Sequence, residues 1–201
     1  MFDQNKMKTK DKILEAAARM FAERGYDKVT TREIAKSVGI NSASIYYYFP
    51  SKEDILTSLY AFYSKHLSKK CPELDDLLAL AETDPPHEVL MKAEFHYDDE
   101  VRETLDHILV TAARRVGGDP ESEYFIRKNI FDPTMTIVKP LLERLIALKK
   151  IKPFNVDACV NVLTYYCFSA AALHHSPFGQ DLSKYLSGMS YIYSSIEVIE
   201  E

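Results

Sequence analysis

The stretch that most constrains this chain runs from Thr30 to Lys52, TTREIAKSVGINSASIYYYFPSK. Thr30 and Glu33 stand at capping-box spacing, where the hydroxyl accepts from the first-turn backbone and the carboxylate reaches back to the cap N–H, so a helix starts there. Ile34, Ala35 and Val38 follow on one narrow apolar face, and Gly39 stands where a left-handed residue ends the helix after about two turns. Asn41 or Ser42 can cap a second short helix, which turns Ile45 and Phe49 inward and leaves Ser42, Ala43, Ser44, Tyr46 and Tyr47 outward. Pro50 ends it, and Ser51 with Asp54 opens the next helix.

Two short helices around a glycine-containing turn of this length form a helix-turn-helix unit, whose second helix enters the DNA major groove. The outward face suits that use. Small side chains let the backbone approach a duplex, Asn41 and the serine hydroxyls can bond base edges or phosphates, and tyrosine hydroxyls reach phosphate oxygens. Lys52, in the first turn of the following helix, adds a point charge beside free backbone N–H groups. Tyr48 can either point at phosphate or pack under the second helix.

These residues carry a resemblance. Thr30-Thr31-Arg32-Glu33-Ile34-Ala35, then Gly39-Ile40, then Ile45-Tyr46-Tyr47-Tyr48-Phe49-Pro50-Ser51-Lys52-Glu53 resemble the DNA-binding signature of the TetR family of transcriptional regulators, from Ile13 to about Leu59. The resemblance implies an all-α chain: an N-terminal three-helix helix-turn-helix head (residues 1–52), joined by a long fourth helix to a C-terminal helical ligand-binding and dimerisation body (residues 53–201). It implies DNA contacts from Thr30, Thr31, Arg32, Asn41, Ser42, Ala43, Ser44, Tyr46, Tyr47 and Lys52. It further implies a homodimer on a pseudo-palindromic operator, repression as the usual mode, and release by a small-molecule effector. One departure stands out. Where family members often carry Ser-Lys-Gly before the tyrosine helix, this chain has Asn41-Ser42-Ala43, so the operator does not follow from better-known members.

Composition agrees with the helical class. Leu, Ile, Val and Ala dominate the apolar residues, only 6 of 201 residues are glycine, and no alternating strand pattern persists. The net charge of −5 is unevenly spread: residues 1–70 hold 13 Lys/Arg against 8 Asp/Glu, and the remainder 12 against 22. A basic end on an acidic body fits a DNA-reading head, because binding depends on the field at the contact face. No run of about 18 apolar residues and no signal peptide is apparent, so a cytoplasmic location is expected. Cys71, Cys159 and Cys167 lack metal-ligand spacing and no cofactor is expected; Cys159 and Cys167, in an apolar helix, are read as buried structural thiols.

Residues 1–8 read as an arm, and the first helix runs from about Thr9 to Arg24 with Ile13, Ala16, Ala17, Met20 and Phe21 on its apolar side. The fourth, Ser51 to about Lys69, carries Ile55, Leu56, Leu59, Phe62 and Tyr63. After a Pro-rich acidic stretch, with at most a short helix near Leu77 to Ala81, helices are expected over 87–96 and 98–116. In the latter, Val101, Leu105, Ile108, Ala112 and Arg115 share a stripe, with His107 and Arg114 turned to solvent. Residues 120–132 read as a short helical segment or loop. Pro133 opens a helix to about Lys150, kinked at Pro140, with Met135, Val138, Leu142, Leu145 and Ile146 inward. Lys149, Lys150 and Lys152 complement its dipole.

The last two helices, 155–175 and 180–199, are apolar on two sides and need two partners. Val156, Val160, Leu163, Cys167, Leu182, Leu186, Met189, Tyr193 and Ile196 form seams expected to meet a second subunit in a four-helix, two-fold interface. Ile108, Thr111, Ala112 and Arg115, with Tyr165, Tyr166, Phe168, Ser169 and Leu173, are candidates to line an effector cavity, mainly because the resemblance implies one.

Two rivals belong to other classes. A helical-bundle enzyme would need a metal or acid/base cluster. His174-His175 and Asp98-Asp99-Glu100 offer none, because adjacent histidines point about 100° apart on a helix and no Glu-x-x-His is present. A helical protein-interaction module without DNA binding would bury apolar surface only, and salt would not weaken its association steeply.

Overall fold

The structure, a computed structural model, describes the backbone of residues 2–67, 73–93 and 99–173, and the side chains within them except 2–7, 67, 99, 167 and 170–173. Every regular element among the described residues is helical. The expected helix at 180–199, with Leu182, Leu186, Met189, Tyr193 and Ile196, lies outside the described residues, as do Asp98, His174 and His175. The side chains of Cys71, Cys167 and Leu173 do so too.

The chain divides into two compact units that do not follow chain order. The first comprises Met1–His66 with Asp98–Phe125. Its helices are α1 (Phe2–Arg24), α2 (Thr31–Ser37), α3 (Ile45–Tyr48), α4 (Lys52–Leu67), α7 (Asp99–Ala113) and α8 (Pro120–Ile126), with a 3-10 turn at Tyr26–Lys28. The residues expected to be an arm continue α1 back to Phe2. Gly25, at φ 87°, stops α1 in the left-handed conformation glycine tolerates.

α1 packs along α7. Ile13, Ala17, Phe21, Ile34, Ile45, Ile55, Leu59, Leu105, Ile108 and Ala112 are all fully buried, each at 0% exposure. Burying a large aliphatic or aromatic side chain stabilises by about 1.5–3 kcal/mol, so this core fixes the small N-terminal helices that could not persist alone. His107 corrects its expected place in solvent: only 5% of it is exposed. Arg114 stays exposed but sends Nη1 back to the carbonyl of Ala22 on α1.

The second unit comprises Leu67–Tyr97 with Ile126–Glu201. It holds α5 (Leu74–Thr83), α6 (Pro86–Ala93), α9 (Lys139–Ala147) and α10 (Val156–Leu173) around Leu77, Leu90, Leu141, Leu142, Leu145 and Val160. Arg127–Phe131 and Thr134–Val138 are wound as π-helix, so the stretch before Pro133, expected as a short helical segment or loop, is helical. The wider turns accommodate Pro133 and Pro140, which have no N–H and would clash with the carbonyl four residues back in an α-helix. Pro140 itself falls in the first turn of α9. A π turn takes in one more residue than an α turn, which shifts the phase of the apolar stripe. Met135, expected inward, is 46% exposed, and Leu141 is fully buried. Lys150 does more than complement a dipole: its Nζ bonds the carbonyls of Glu82 and Asp84 at 2.9 and 3.0 Å, closing the end of α5.

Candidate nucleic-acid interface

The capping box at Thr30 is complete. Its hydroxyl accepts from the Glu33 N–H at 3.3 Å and donates to Glu33 Oε2 at 2.7 Å, while Glu33 Oε2 accepts the Thr30 N–H at 2.9 Å. Arg24 Nη2 donates to Glu33 Oε1 at 2.7 Å. The Arg24 guanidinium and the two Thr30 donors together hold the Glu33 carboxyl down at about 2. Thr30 therefore acts on α2 first, since its hydroxyl is already bonded within the cap.

Gly39, at φ 74°, ends α2, and the N–H of Ile40 bonds Ala35 O at 3.0 Å as the chain turns. Asn41 then shapes the entry to α3, its Oδ1 accepting the Ala43 N–H and its carbonyl the Ser44 N–H, both at 2.9 Å. Ile45 and Phe49 anchor α3 inward at 0% and 2% exposure. Tyr46 and Tyr47 stand outward at 55% and 70%, beside exposed Ala43 and Ser44. The hydroxyls of Thr31 and Tyr46 share a hydrogen bond at 3.2 Å, which registers one outward face against the other. Tyr48 is half-buried, and its ring meets Tyr47 edge-on with centroids 5.4 Å apart. Arg32 and Lys36 on α2 and Lys28 in the preceding turn are exposed cations in this same N-terminal region.

Lys52 differs from its expected role as a free charge at a helix start. Its ammonium donates to the carbonyls of Tyr26 at 3.1 Å and Val29 at 3.2 Å and lies 4.1 Å from the Tyr26 ring centre. It braces the turn before α2 from inside the unit. Sequence spacing could not show this, because Tyr26 and Lys52 are neighbours only after three helices have folded.

Tyr26, which no short-range motif in the sequence marks, does more than fill the core. It is 7% exposed, its ring meets Phe21 edge-on at 4.9 Å, and its hydroxyl donates to Glu53 Oε1 at 3.1 Å. Burial, followed by the Glu53 hydrogen bond, pushes its phenol well above the usual range. Glu53 is held low, first by its own backbone N–H and then by the Tyr26 hydroxyl.

Of the candidate effector-lining residues, Ile108, Thr111, Ala112 and Arg115 belong to the first unit and Tyr165, Tyr166 and Ser169 to the second. Ile108 and Ala112 are wholly buried in the first unit, and Thr111, 2% exposed, donates to the His107 carbonyl at 2.9 Å. Arg115 pairs with Asp119 at 3.2 Å and Asp27 at 3.7 Å. In the second unit Tyr165 is 64% exposed with its ring against Phe131, Tyr166 packs on the core, and Ser169 donates to the Tyr166 carbonyl. The first unit does hold a half-open polar groove of about 330 Å³, lined by Lys12, Glu15 and Arg19 of α1, Ser37 and Val38 at the end of α2, and Glu103 and His107 of α7.

Two of the residues expected at the subunit seam lie in the core of the second unit. Val160 and Leu163 are 0% and 4% exposed, covered by their own unit and without surface for a partner. Among the described side chains of α10, the exposed large hydrophobic ones are Val162, at 67%, and Tyr165. The Cys159 thiol is half-buried, and burial pushes it up. No described helix is long and apolar enough to cross a membrane, and no three His, Cys, Asp or Glu among the described residues cluster to hold a metal.

Residues 13–59 match the family model for bacterial regulatory proteins of the tetR family. The chain is 44% identical over 66 residues to a probable helix-turn-helix transcriptional regulator, YttP, of Bacillus subtilis, covering 31% of this chain and 32% of that protein. It is 54% identical over 46 residues to the negative regulator of the biofilm operon icaADBC, IcaR, of Staphylococcus aureus, covering 23% of this chain and 25% of that protein. The matched segments thus span about a third and a quarter of these relatives. In fold, a TetR-family transcriptional regulator from Agrobacterium tumefaciens superposes with a TM-score of 0.68 at 20% identity, over 96% of this chain and all of that one.

Proposed function

We propose that this chain, which belongs to the TetR family of bacterial regulatory proteins, represses transcription by binding a pseudo-palindromic operator as a homodimer and is released by a small-molecule effector. The observation that carries the reading is the pair of outward tyrosines, Tyr46 and Tyr47, on a four-residue helix whose other side is locked by Ile45 and Phe49. Two large aromatic side chains held in water beside small residues form a surface that gains by docking, and their hydroxyls suit phosphate oxygens. Residues 1–52 act as the reading head and residues 53–201 as the part that senses and pairs. Repression fits the negative regulation for which IcaR is named.

Two heads on one face of a duplex must sit roughly 34–36 Å apart, or a multiple of it, to read both half-sites. An effector that favours a different head separation weakens binding by its differential affinity for the two shapes, typically about 1–3 kcal/mol. Selection of bound duplexes by the full chain, followed by footprinting and a salt titration, tests the reading. A protected two-fold site whose affinity falls steeply with salt is expected. Retention of no duplex at low salt would leave the helical interaction module in its place.

A further inference from the structure

Two cations lie over the Tyr26 ring, Lys52 Nζ and Arg115 Cζ, each 4.1 Å from its centre. They come from distant stretches of chain. Lys52 opens α4, immediately after the helix-turn-helix residues, and Arg115 follows α7. The turn they grip, Tyr26 to Val29, leads straight into Thr30. The entry to the helix-turn-helix and its exit are therefore joined by the Lys52 bonds to the Tyr26 and Val29 carbonyls, and both are held against residue 115 through one aromatic ring.

Arg115 is itself anchored. Its guanidinium pairs with Asp119, and Asp119 Oδ2 accepts the Ser122 N–H at 2.9 Å and the Ser122 hydroxyl. The Ser122 hydroxyl shares a 2.7 Å hydrogen bond with Tyr60, two turns along α4 from Lys52. Burial alone would raise the Asp119 carboxyl, but the Ser122 and Arg115 bonds outweigh it and hold the group low. The segment 115–122 thus meets α4 directly at Tyr60 and, through Tyr26, at Lys52. One feature sets this arginine apart from a simple ion-pair partner: its Nε is buried without a hydrogen-bond partner. An interior N–H left unbonded is unfavourable, and an apolar side chain would avoid it. What only arginine supplies here is a planar cation stacked on a ring together with a fork for a carboxylate.

We propose that Arg115 is a positioning residue for DNA recognition, holding the Tyr26–Val29 turn and Lys52 so that α2 and α3 keep the mutual setting a groove requires. The proposal rests on the reading that residues 30–47 meet DNA. Arg115 touches no nucleotide; it acts through Tyr26. A displacement of segment 115–122 reaches both ends of the helix-turn-helix at once.

The test uses the full chain and a duplex selected by the wild type from a random library, with affinity read by fluorescence anisotropy and folding by circular dichroism. Arg115→Gln and Tyr26→Leu each lower affinity about tenfold, and the double variant loses less than the product of the two, because both remove the Arg115–Tyr26 contact. Tyr26→Phe, which keeps the aromatic face, stays within about threefold, and the exposed neighbour Glu121→Gln binds as the wild type. Binding by Arg115→Gln within about twofold of wild type, or multiplying losses in the double variant, overturns the proposal. Should Arg115→Gln fail to fold, amide exchange in Arg115→Lys decides: residues 26–33 exchange faster than in wild type while residues 156–166 do not change. Unaltered exchange at 26–33 overturns it equally. A wild type that selects no duplex marks failure of the DNA reading, and the exchange comparison still reports whether Arg115 holds the turn.

Discussion

The ammonium of Lys52 sits on the ring of Tyr26, 4.1 Å from its centre, and donates to that residue's own carbonyl at 3.1 Å. A lysine that sequence spacing offers to phosphate is thus an interior brace, and the two roles separate experimentally. Lys52→Met keeps the stem and removes the donors. It should cost about 1–2 kcal/mol of stability, the scale of charged hydrogen bonds partly open to water. It should weaken all duplexes alike while leaving the slope of log affinity against log salt unchanged, whereas loss of a phosphate contact would flatten that slope by about 0.9. Salt titration of the variant checks this, and a flattened slope returns Lys52 to the phosphate backbone.

The cap of α2 is sensitive to acid. The Glu33 carboxyl lies at about 2 in the folded chain against an ordinary 4.5, so its contribution is complete above 4.5 and lost as pH falls through about 2. Glu33→Gln should therefore be less stable than wild type at neutral pH and converge with it at the acid end, as followed by urea unfolding across pH. Thr30→Ala removes the other half of the cap and should cost about 1 kcal/mol. A constant gap between Glu33→Gln and wild type down to pH 2 would show that the carboxylate charge contributes nothing.

Tyr47, 70% exposed, should matter to binding and hardly to folding. Tyr47→Ala should shift stability by no more than about 0.5 kcal/mol and reduce affinity for every duplex. Ser44→Ala, at the start of α3, should instead reorder preference among operator variants. Competition binding on a panel of single-base variants distinguishes them, and a Tyr47→Ala protein that binds like wild type removes the tyrosine face from the interface.

On α10, two valines two residues apart should behave oppositely. Val160→Glu places a charge where exposure is 0% and should unfold the second unit. Val162→Glu, at a site 67% exposed, should leave the helical signal intact and shift a dimer toward monomer. Sedimentation of Val162→Glu is the check; an undisturbed dimer would place the subunit interface elsewhere.

What was legible in the sequence was whatever is decided within a few residues. The Thr30–Glu33 cap, the glycines at φ 87° and 74°, the inward Ile45 and Phe49 and the outward Tyr46 and Tyr47 all follow from local hydrogen bonding, backbone sterics and helical period. Met135 escaped the same logic because π turns change the period that the logic assumes. His107 escaped because α7 packs along α1, and a residue off the main apolar stripe can still be covered by the neighbouring helix.

The sequence alone, then, determined the helical class, the helix-turn-helix and its outward face, because capping, turn geometry and amphipathic period are set by near neighbours along the chain. Only the tertiary structure decided the roles of Tyr26, Lys52 and Arg115 and which valine of α10 faces out. Those depend on which helices share a core, and a long side chain such as lysine or arginine takes its partner from whatever packing brings within about 4 Å.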